Sequence, residues 1–424
     1  MTAFAVPGMK PITIADLFCG AGGTSTGALQ AVDALGMTAR LTAVNHWDRA
    51  VATHQANHAG ARHLCASIDS LNPRDLFQEG ELNILWGSPE CTHHSRARGG
   101  KPMQDQSRAT AWCVTRWAEA LRPEIVMVEN VPEFEEWGPL GLNGKPLMSR
   151  KGATFQAWAN TLRSIGYKVD WRRLRAADFG DPTTRERLFI QAVRGRRRLV
   201  WPEPTHAKEA DLFGKLRWRG AEEIIDWSIP CPAVSARKRP LADRTMKRIR
   251  EGLDEYGGTP VIVAMEHGGR VLSAGRPLPT ITTARGGAFG VAYLLPQQSG
   301  GKLRPVQDSA PTVSTAGAIG LVIEYYGTGG ARPVSLPLPT VTCKHRFGLV
   351  QERRGELFFR MLQPHELAGA QGFPPGYQFT GTKTEQVRQI GNAVPCGFAR
   401  ALILAQLTQS SDISRFSAPT ALAA

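Results

Sequence analysis

The chain has 424 residues, 42% of them apolar, and 51 Lys and Arg against 37 Asp and Glu, a formal net charge of +14. That length supports one large or two ordinary domains with full cores, and the basic excess predicts a polyanionic partner, nucleic acid being the commonest. Seven cysteines without a Cys-x-x-Cys pair argue against a disulfide framework or a thiolate zinc cage, and no apolar run of membrane-span length or leader-like N-terminus stands out. The expectation is a monomer in a reducing, cytoplasmic setting at the nucleoid, with no membrane and no metal.

The first two hundred residues alternate short apolar runs with helical stretches, which predicts α/β structure on a parallel sheet. "ITIADLF" reads as the first strand, followed by a glycine loop and the helix "TSTGALQAVDAL"; "RLTAVN" is a second strand leading into the helix "DRAVATHQANH". "LNILWG", "EIVMVEN" and "RLFIQAV" are later strands, the last flanked by arginines that suit a rim facing an anionic partner. Arg194, Arg196 and Arg197 on that rim are candidate phosphate ligands.

From Gly257 to Gly348 helical periodicity gives way to Gly, Pro, Thr and Val, the composition of β structure with many turns. Three degenerate repeats occur there, "RPLPTITTARGGAFGVA", "DSAPTVSTAGAIGLV" and "LPLPTVTCKHRFGLV", with prolines at 279, 311 and 339. Helix-forming sequence returns after residue 355. The predicted organisation is therefore an α/β domain over 1–205, a β-rich insert over 206–350, completion of the α/β domain over 351–410, and a flexible tail over 411–424.

Three stretches carry chemistry. "DLFCGAGGTSTG" (Asp16 to Gly27) is a glycine loop between a strand and a helix, where backbone approaches a ligand at a helix N-terminus; it has neither the dinucleotide nor the P-loop spacing. "GSPECTHHS" (Gly87 to Ser95) places Cys91 after a strand, where a thiol serves as core residue, metal ligand or nucleophile. Six of the ten histidines lie between 46 and 94; His54 and His58 have a zinc-compatible i,i+4 spacing, but no ligand partner is obvious, and the reading is packing or a solvated face.

Taken in order, "DLFCGAGG", "GSPECTHHS", "VENVP", "ADFGDPTTRERLFI", "WPEPTH", "RMLQPHELAGAQGFP" and "QIGNAVP" resemble the motifs of the DNA (cytosine-5)-methyltransferase family. The resemblance covers about 1–205 and 355–405 and leaves 206–350 where such enzymes carry their target-recognition domain. It implies a doubly wound, Rossmann-like, S-adenosylmethionine-dependent methyltransferase acting on cytosine in double-stranded DNA, the base being flipped out of the helix. It aligns Cys91 with the nucleophile that adds to C6, Glu129 with the acid at N3, and Arg185 and Arg187 with residues holding O2 and nearby phosphates. It assigns Asp16, Phe18, Gly20, Gly22, Gly23, His46, Trp47, Ser67 and Asn392 to the cofactor side, Asn392 in a supporting role.

Four features depart from the family pattern. Glu90 replaces the proline before the nucleophile, and Thr92, His93 and His94 follow it. A carboxylate beside Cys91 raises its thiol pKa unless His93, His94 or Arg96 pairs with it. His46 stands where the family has a ribose-binding glutamate, Ser67 where it has an adenine-binding aspartate, with Asp69 two residues on, and Thr183 replaces a glutamine. These departures leave open a modified donor or modified pyrimidine, an RNA substrate, or a silent DNA-binding protein as alternatives to methylation of DNA cytosine.

Overall fold

The computed structural model describes residues 10–89, 110–141, 146–210, 214–238, most of 240–251, and 356–409, together with Leu338 and short strands between 261 and 353. Cys91 and its neighbours from Glu90 to Arg96, the three repeat prolines and the tail over 411–424 lie outside the described residues.

Seven strands form the first sheet: β1 (Ile12–Leu17), β2 (Ala39–Asn45), β3 (Arg62–Cys65), β4 (Ile84–Gly87), β5 (Ile125–Asn130), β6 (Tyr167–Arg175) and β7 (Glu186–Arg194). Their spatial order is β3-β2-β1-β4-β5-β7-β6. The first five pair in parallel, whereas β7 runs antiparallel to both β5 and β6. Every residue of β1, β4 and β5 is buried, because helices cover both faces of a parallel sheet, and such strands read as nearly continuous apolar runs.

Successive side chains serve opposite faces. Ile14, Trp86 and Met127 enter one core, beneath α1 (Gly23–Ala34) and the helix Cys396–Leu407. Leu17, Leu85 and Val126 enter the other, beneath the helices Ala111–Leu121 and Ala153–Ser164. The order of strands reverses between β1 and β4, since the chain goes from β1 outward to β2 and β3 before returning to β4. Such a reversal opens a crevice at the carboxyl ends of the strands.

Two glycines let the C-terminal helix lie against α1. A Cβ on Gly23 would stand 2.1 Å from the Val394 carbonyl oxygen, and one on Gly27 2.2 Å from that of Cys396. Phe398 then reaches Phe189 of β7, with ring centroids 4.7 Å apart. The span Lys383–Leu407 is long and apolar enough to cross a membrane by length and composition, contrary to the expectation from sequence. It breaks between the helices Lys383–Asn392 and Cys396–Leu407, and 67% of its most apolar stretch is buried inside the fold. Its hydrophobicity is that of a core element.

Beyond the first sheet, β8 (His206–Ala207) and β9 (Leu216–Arg217) form a short ladder. A second seven-stranded sheet comprises β10 (Val261–Ala264), β11 (Val271–Leu272), β12 (Phe289–Gly290), β13 (Gly320–Glu324), β14 (Gly330–Arg332), β15 (Phe347–Arg353) and β16 (Glu356–Met361). The fully buried Leu338 ties this part of the chain to the first domain: its N–H donates to the Pro182 carbonyl at 2.7 Å, and its carbonyl accepts from Thr184 N–H at 3.2 Å.

Gly27→Ala is expected to lower the free energy of unfolding by about 1–3 kcal/mol, because the new methyl group meets backbone that cannot step aside. Denaturant titration against the wild type checks this. A loss below about 0.5 kcal/mol would mean that the two helices separate without cost.

Candidate active site

The loop leaving β1 turns sharply, with φ of 61° at Phe18, 52° at Gly20 and 96° at Gly22. A non-glycine residue in this left-handed region costs on the order of 1 kcal/mol or more and persists where its surroundings hold it. Gly22 is the N-cap of α1, which has no side-chain cap and no acidic residue in its first turn, so its N–H groups and dipole suit an anionic group. Below the loop Asp16 is fully buried; Ser25 Oγ donates to its Oδ2 at 2.6 Å, and its Oδ1 has no hydrogen-bond partner among the described residues. Burial pushes this carboxyl up to about 7 against the pull of the Ser25 hydrogen bonds.

Parallel register carries neighbouring segments to the same edge. Leu17 pairs with Val44, and Asn45 with Cys65, so His46 and Trp47 after β2 and Ser67 after β3 follow strand ends beside the glycine loop. Asn45 Oδ1 accepts the Trp47 N–H at 2.9 Å, and the Arg388 guanidinium lies 4.6 Å from the centroid of the half-buried Trp47 ring. His46 and Ser67 are exposed; the Ser67 hydroxyl donates to Asp69. Asn392 is exposed at the end of its helix, next to the Ala393–Val394 segment that packs on Gly23. Aromatic surface, a helix N-terminus and an unsatisfied buried oxygen together fit a nucleoside joined to an amino acid.

Glu129 ends β5 at the same edge, buried to 7% exposure. Its Oε1 lies 3.2 Å from Arg187 Nε, the Ser88 side chain hydrogen-bonds to it, and Arg185 adds a second nearby positive charge. Desolvation outweighs all of these and holds the carboxyl above its ordinary value. Arg185 Nη1 donates to the Gly391 carbonyl at 3.0 Å, and its backbone N–H donates to Thr183 Oγ1 at 3.3 Å. Ser88 N–H bonds the Leu17 carbonyl, and Asn130 Nδ2 donates to the Pro89 carbonyl at 3.2 Å. The two residues that lead toward Cys91 are thus pinned beside both Glu129 and the glycine loop.

Residues 12–407 match the C-5 cytosine-specific DNA methylase family. The chain belongs to this family. Type II methyltransferase M.AgeI of Thalassovita gelatinovora is 30% identical over 197 residues, 45% of this chain and 42% of that protein. DNA (cytosine-5)-methyltransferase 4 of Arabidopsis thaliana is 24% identical over 469 residues, 94% of this chain and 28% of that one. The matches thus span less than half the length of these two relatives. Among solved structures, a candidate DNA modification methyltransferase encoded in an E. coli prophage has a TM-score of 0.53 at 17% identity, covering 94% of this chain and 100% of its own. A DNMT2 variant of Spodoptera frugiperda has a TM-score of 0.52 at 15% identity, covering 93% and 99%. This likeness speaks for the fold, a Rossmann-like methyltransferase architecture.

The methylase fold corrects one expectation about arginines. Because β7 runs antiparallel to β5, its C-terminal end emerges at the edge opposite the glycine loop. Arg194, Arg196 and Arg197 lie there. Arg197 is buried, with Nε 2.8 Å from Glu124 Oε2 and Nη1 donating to the Gln406 carbonyl, and Arg194 donates to the Arg122 carbonyl. Arg197 is an internal strut, whereas Arg194 is half-buried and Arg196 exposed at the edge opposite the glycine loop.

Sequence reasoning also missed polar groups of the methylase core. Ser25, His54, His63 and Tyr377 surround the glycine loop, and only the density of histidines hinted at them. Asp181 is 6% exposed, accepts a backbone hydrogen bond from Gly397, and fills space that a Cβ on Gly372 or Gly397 would invade at 2.3 and 2.5 Å. Burial pushes its carboxyl from 3.8 up to about 7, so the native state binds this proton more tightly than the unfolded chain. Its stabilising contribution is complete below about pH 4 and is lost as pH rises through about 7. Asp181→Asn is expected to remove part of the fall in unfolding free energy between about pH 5 and pH 8, measured by denaturant titration at each pH. An unchanged slope would contradict the assignment.

Proposed function

We propose that this methylase transfers a methyl group from S-adenosylmethionine to C5 of a flipped cytosine in double-stranded DNA, through a covalent bond between Cys91 Sγ and C6. The observation that carries the reading is Glu129, buried with a raised pKa beside Arg187 and next to the Ser88–Pro89 segment that leads into Cys91. The family match supports the substrate class.

Cytosine C5 is a weak nucleophile until a group adds at C6, and a thiolate is suited to add and later leave. Attack by Cys91 sends an electron pair into the ring; Glu129 in its protonated form donates a hydrogen bond at N3, where negative charge builds. Arg187 fixes the Glu129 carboxyl, and with Arg185 it places positive charge toward the base oxygen. S-adenosylmethionine supplies the electrophilic methyl group when bound. Loss of the C5 proton and expulsion of Cys91 then restore the aromatic ring. The basic excess of the chain supports salt-sensitive affinity for phosphates, and the β-rich segment over 206–350 is the proposed reader of target sequence.

A second reading keeps this chemistry with an altered donor, and it is favoured by the exposed imidazole of His46 where a carboxylate would grip the ribose. One experiment separates the two. Duplex DNA is incubated with the protein and S-adenosylmethionine, and its nucleosides are analysed by mass spectrometry beside a Cys91→Ser control. 5-Methylcytosine absent from the control is the expected result; folded, DNA-binding protein that yields no product on varied duplexes would sink the first reading. Glu129→Gln, which cannot give up or regain a proton, is expected to lower turnover by about 100-fold or more in single-turnover assays while leaving DNA affinity close to wild type.

A further inference from the structure

A line of hydrogen-bonding side chains runs from beneath the glycine loop toward the surface. Asp16 Oδ2 accepts from Ser25 Oγ at 2.6 Å, Ser25 Oγ lies 2.9 Å from His54 Nε2, and His54 Nδ1 lies 2.8 Å from His63 Nε2. Burial holds the His63 imidazole below its ordinary value, and a hydrogen bond to the Ala61 backbone opposes that shift in part. Asp16, Ser25 and His54 have no exposed surface, whereas His63 is half-buried on β3 at the edge of the sheet. The line therefore joins a buried carboxyl to solvent through groups that each can donate and accept.

Building on the methyl-donor reading above, we propose that Asp16, Ser25, His54 and His63 form a proton-conducting chain that sets the charge beneath the glycine loop. Through that charge the chain decides how strongly the site prefers the cationic sulfonium donor over its neutral demethylated product. Two proton arrangements satisfy every contact. In one, Asp16 is a carboxylate and His63 is protonated: His63 Nε2–H donates to His54 Nδ1, His54 Nε2–H to Ser25 Oγ, and the Ser25 hydroxyl to Asp16. In the other, each proton has moved one step along the chain. His63 has passed its Nε2 proton to His54 Nδ1, His54 its Nε2 proton to Ser25, and Ser25 its hydroxyl proton to Asp16. Ser25 and His54 each gain one proton and lose one, so only Asp16 and His63 change charge.

The surroundings leave this pair in control. The groups packed around it are Cys19 from the glycine loop, His58 from α2 (Asp48–Asn57), Tyr377 and Cys396. His58 Nε2 lies 3.1 Å from Thr26 Oγ1 and 3.2 Å from the Tyr377 hydroxyl, which donates to the Ala21 carbonyl at 2.5 Å. Burial pushes the Cys19 and Cys396 thiols and the Tyr377 hydroxyl up, and pushes His54 down to about 2 and His58 down to about 4. All of these are uncharged near neutrality. Burial pushes the Asp16 carboxyl up to about 7, and its Oδ1 is unpartnered among the described residues. A charge in such a dry site acts on a nearby cation with little screening.

The same chain positions the loop. A Cβ on Gly22 would meet the Tyr377 hydroxyl at 2.6 Å, His54 Cδ2 at 3.0 Å and His58 Nε2 at 3.2 Å. His54, a member of the line, thus forms with Tyr377 and His58 the wall on which the loop rests.

The test is calorimetric titration of the intact protein with S-adenosylmethionine and with S-adenosylhomocysteine between about pH 6 and about pH 8. The ratio of the two dissociation constants should shift in favour of the cation by about tenfold as pH rises, with a midpoint near the Asp16 titration. Asp16→Asn, checked for folding by circular dichroism, should bind both ligands with a flat ratio. His63→Gln keeps a hydrogen-bonding group but cannot take up the proton at the far end of the line, and should move the midpoint to higher pH. A flat ratio in the wild type, a slope that survives Asp16→Asn, or a midpoint unmoved in His63→Gln would each overturn the proposal. Failure of both ligands to bind at any pH would overturn the methyl-donor reading and this inference with it.

Discussion

Parallel pairing of β1, β4 and β5 brings their carboxyl ends into one row: Leu17 beside Gly87, and Gly87 beside Val128. Whatever follows each strand is delivered to the same crevice, where the reversal of strand order leaves room for a ligand. The glycine loop, the Ser88–Pro89 lead-in and Glu129 are side by side for that reason alone. Had β5 run the other way, Glu129 would sit at the opposite edge, as Arg194 at the end of the antiparallel β7 does. Chemistry in this molecule is first a matter of strand direction.

The second theme is acid groups kept in dry places. Glu129, Asp16 and Asp181 are all buried, and desolvation raises the pKa of each. The Arg360–Glu366 pair shows what full compensation looks like. Both Glu366 oxygens take hydrogen bonds from the guanidinium at 2.8 and 2.9 Å, and backbone N–H groups of Asp226 and Gln363 add more. Glu129 has a lighter set of partners, and a carboxyl left partly uncompensated takes up a proton more readily than an ordinary one. Breaking its contact with Arg187 would leave a buried charge, a change that in other proteins costs about 3–5 kcal/mol.

Much of this was readable from the chain itself. "DLFCGAGG", "VENVP" and "TTRER" are local signatures at the ends of buried strands, and their apolar runs announce both the strands and the sheet. The burial of Arg197 was not legible because a strand's composition says nothing of its direction; β7 looks the same in sequence whether it points toward the cleft or away. The histidine chain was opaque for a different reason. His54 and His58 share a spacing suited to a solvated helix face, while the groups that bury His54 are Ser25, 29 residues before it, and His63 on the next strand. Hydrogen-bond partners brought together only by the fold leave no periodicity. The Lys383–Leu407 span was overlooked because Lys383, Glu385 and Arg388 interrupt its apolar character in sequence, and only the fold shows one face of it sealed in the core.

The helix Cys396–Leu407 covers apolar residues of β1, made nearly four hundred positions earlier, and of β4 and β5, made about three hundred earlier. A ribosome adding about 5–20 residues per second needs on the order of half a minute to reach it from β1. During that interval Ile14, Trp86 and Met127 have lost contact with water on one face of the sheet only through α1, and the glycine loop lacks the helix that braces it. Nascent chains that stop short of Cys396–Leu407 therefore hold the loop after β1 without the helix that braces it.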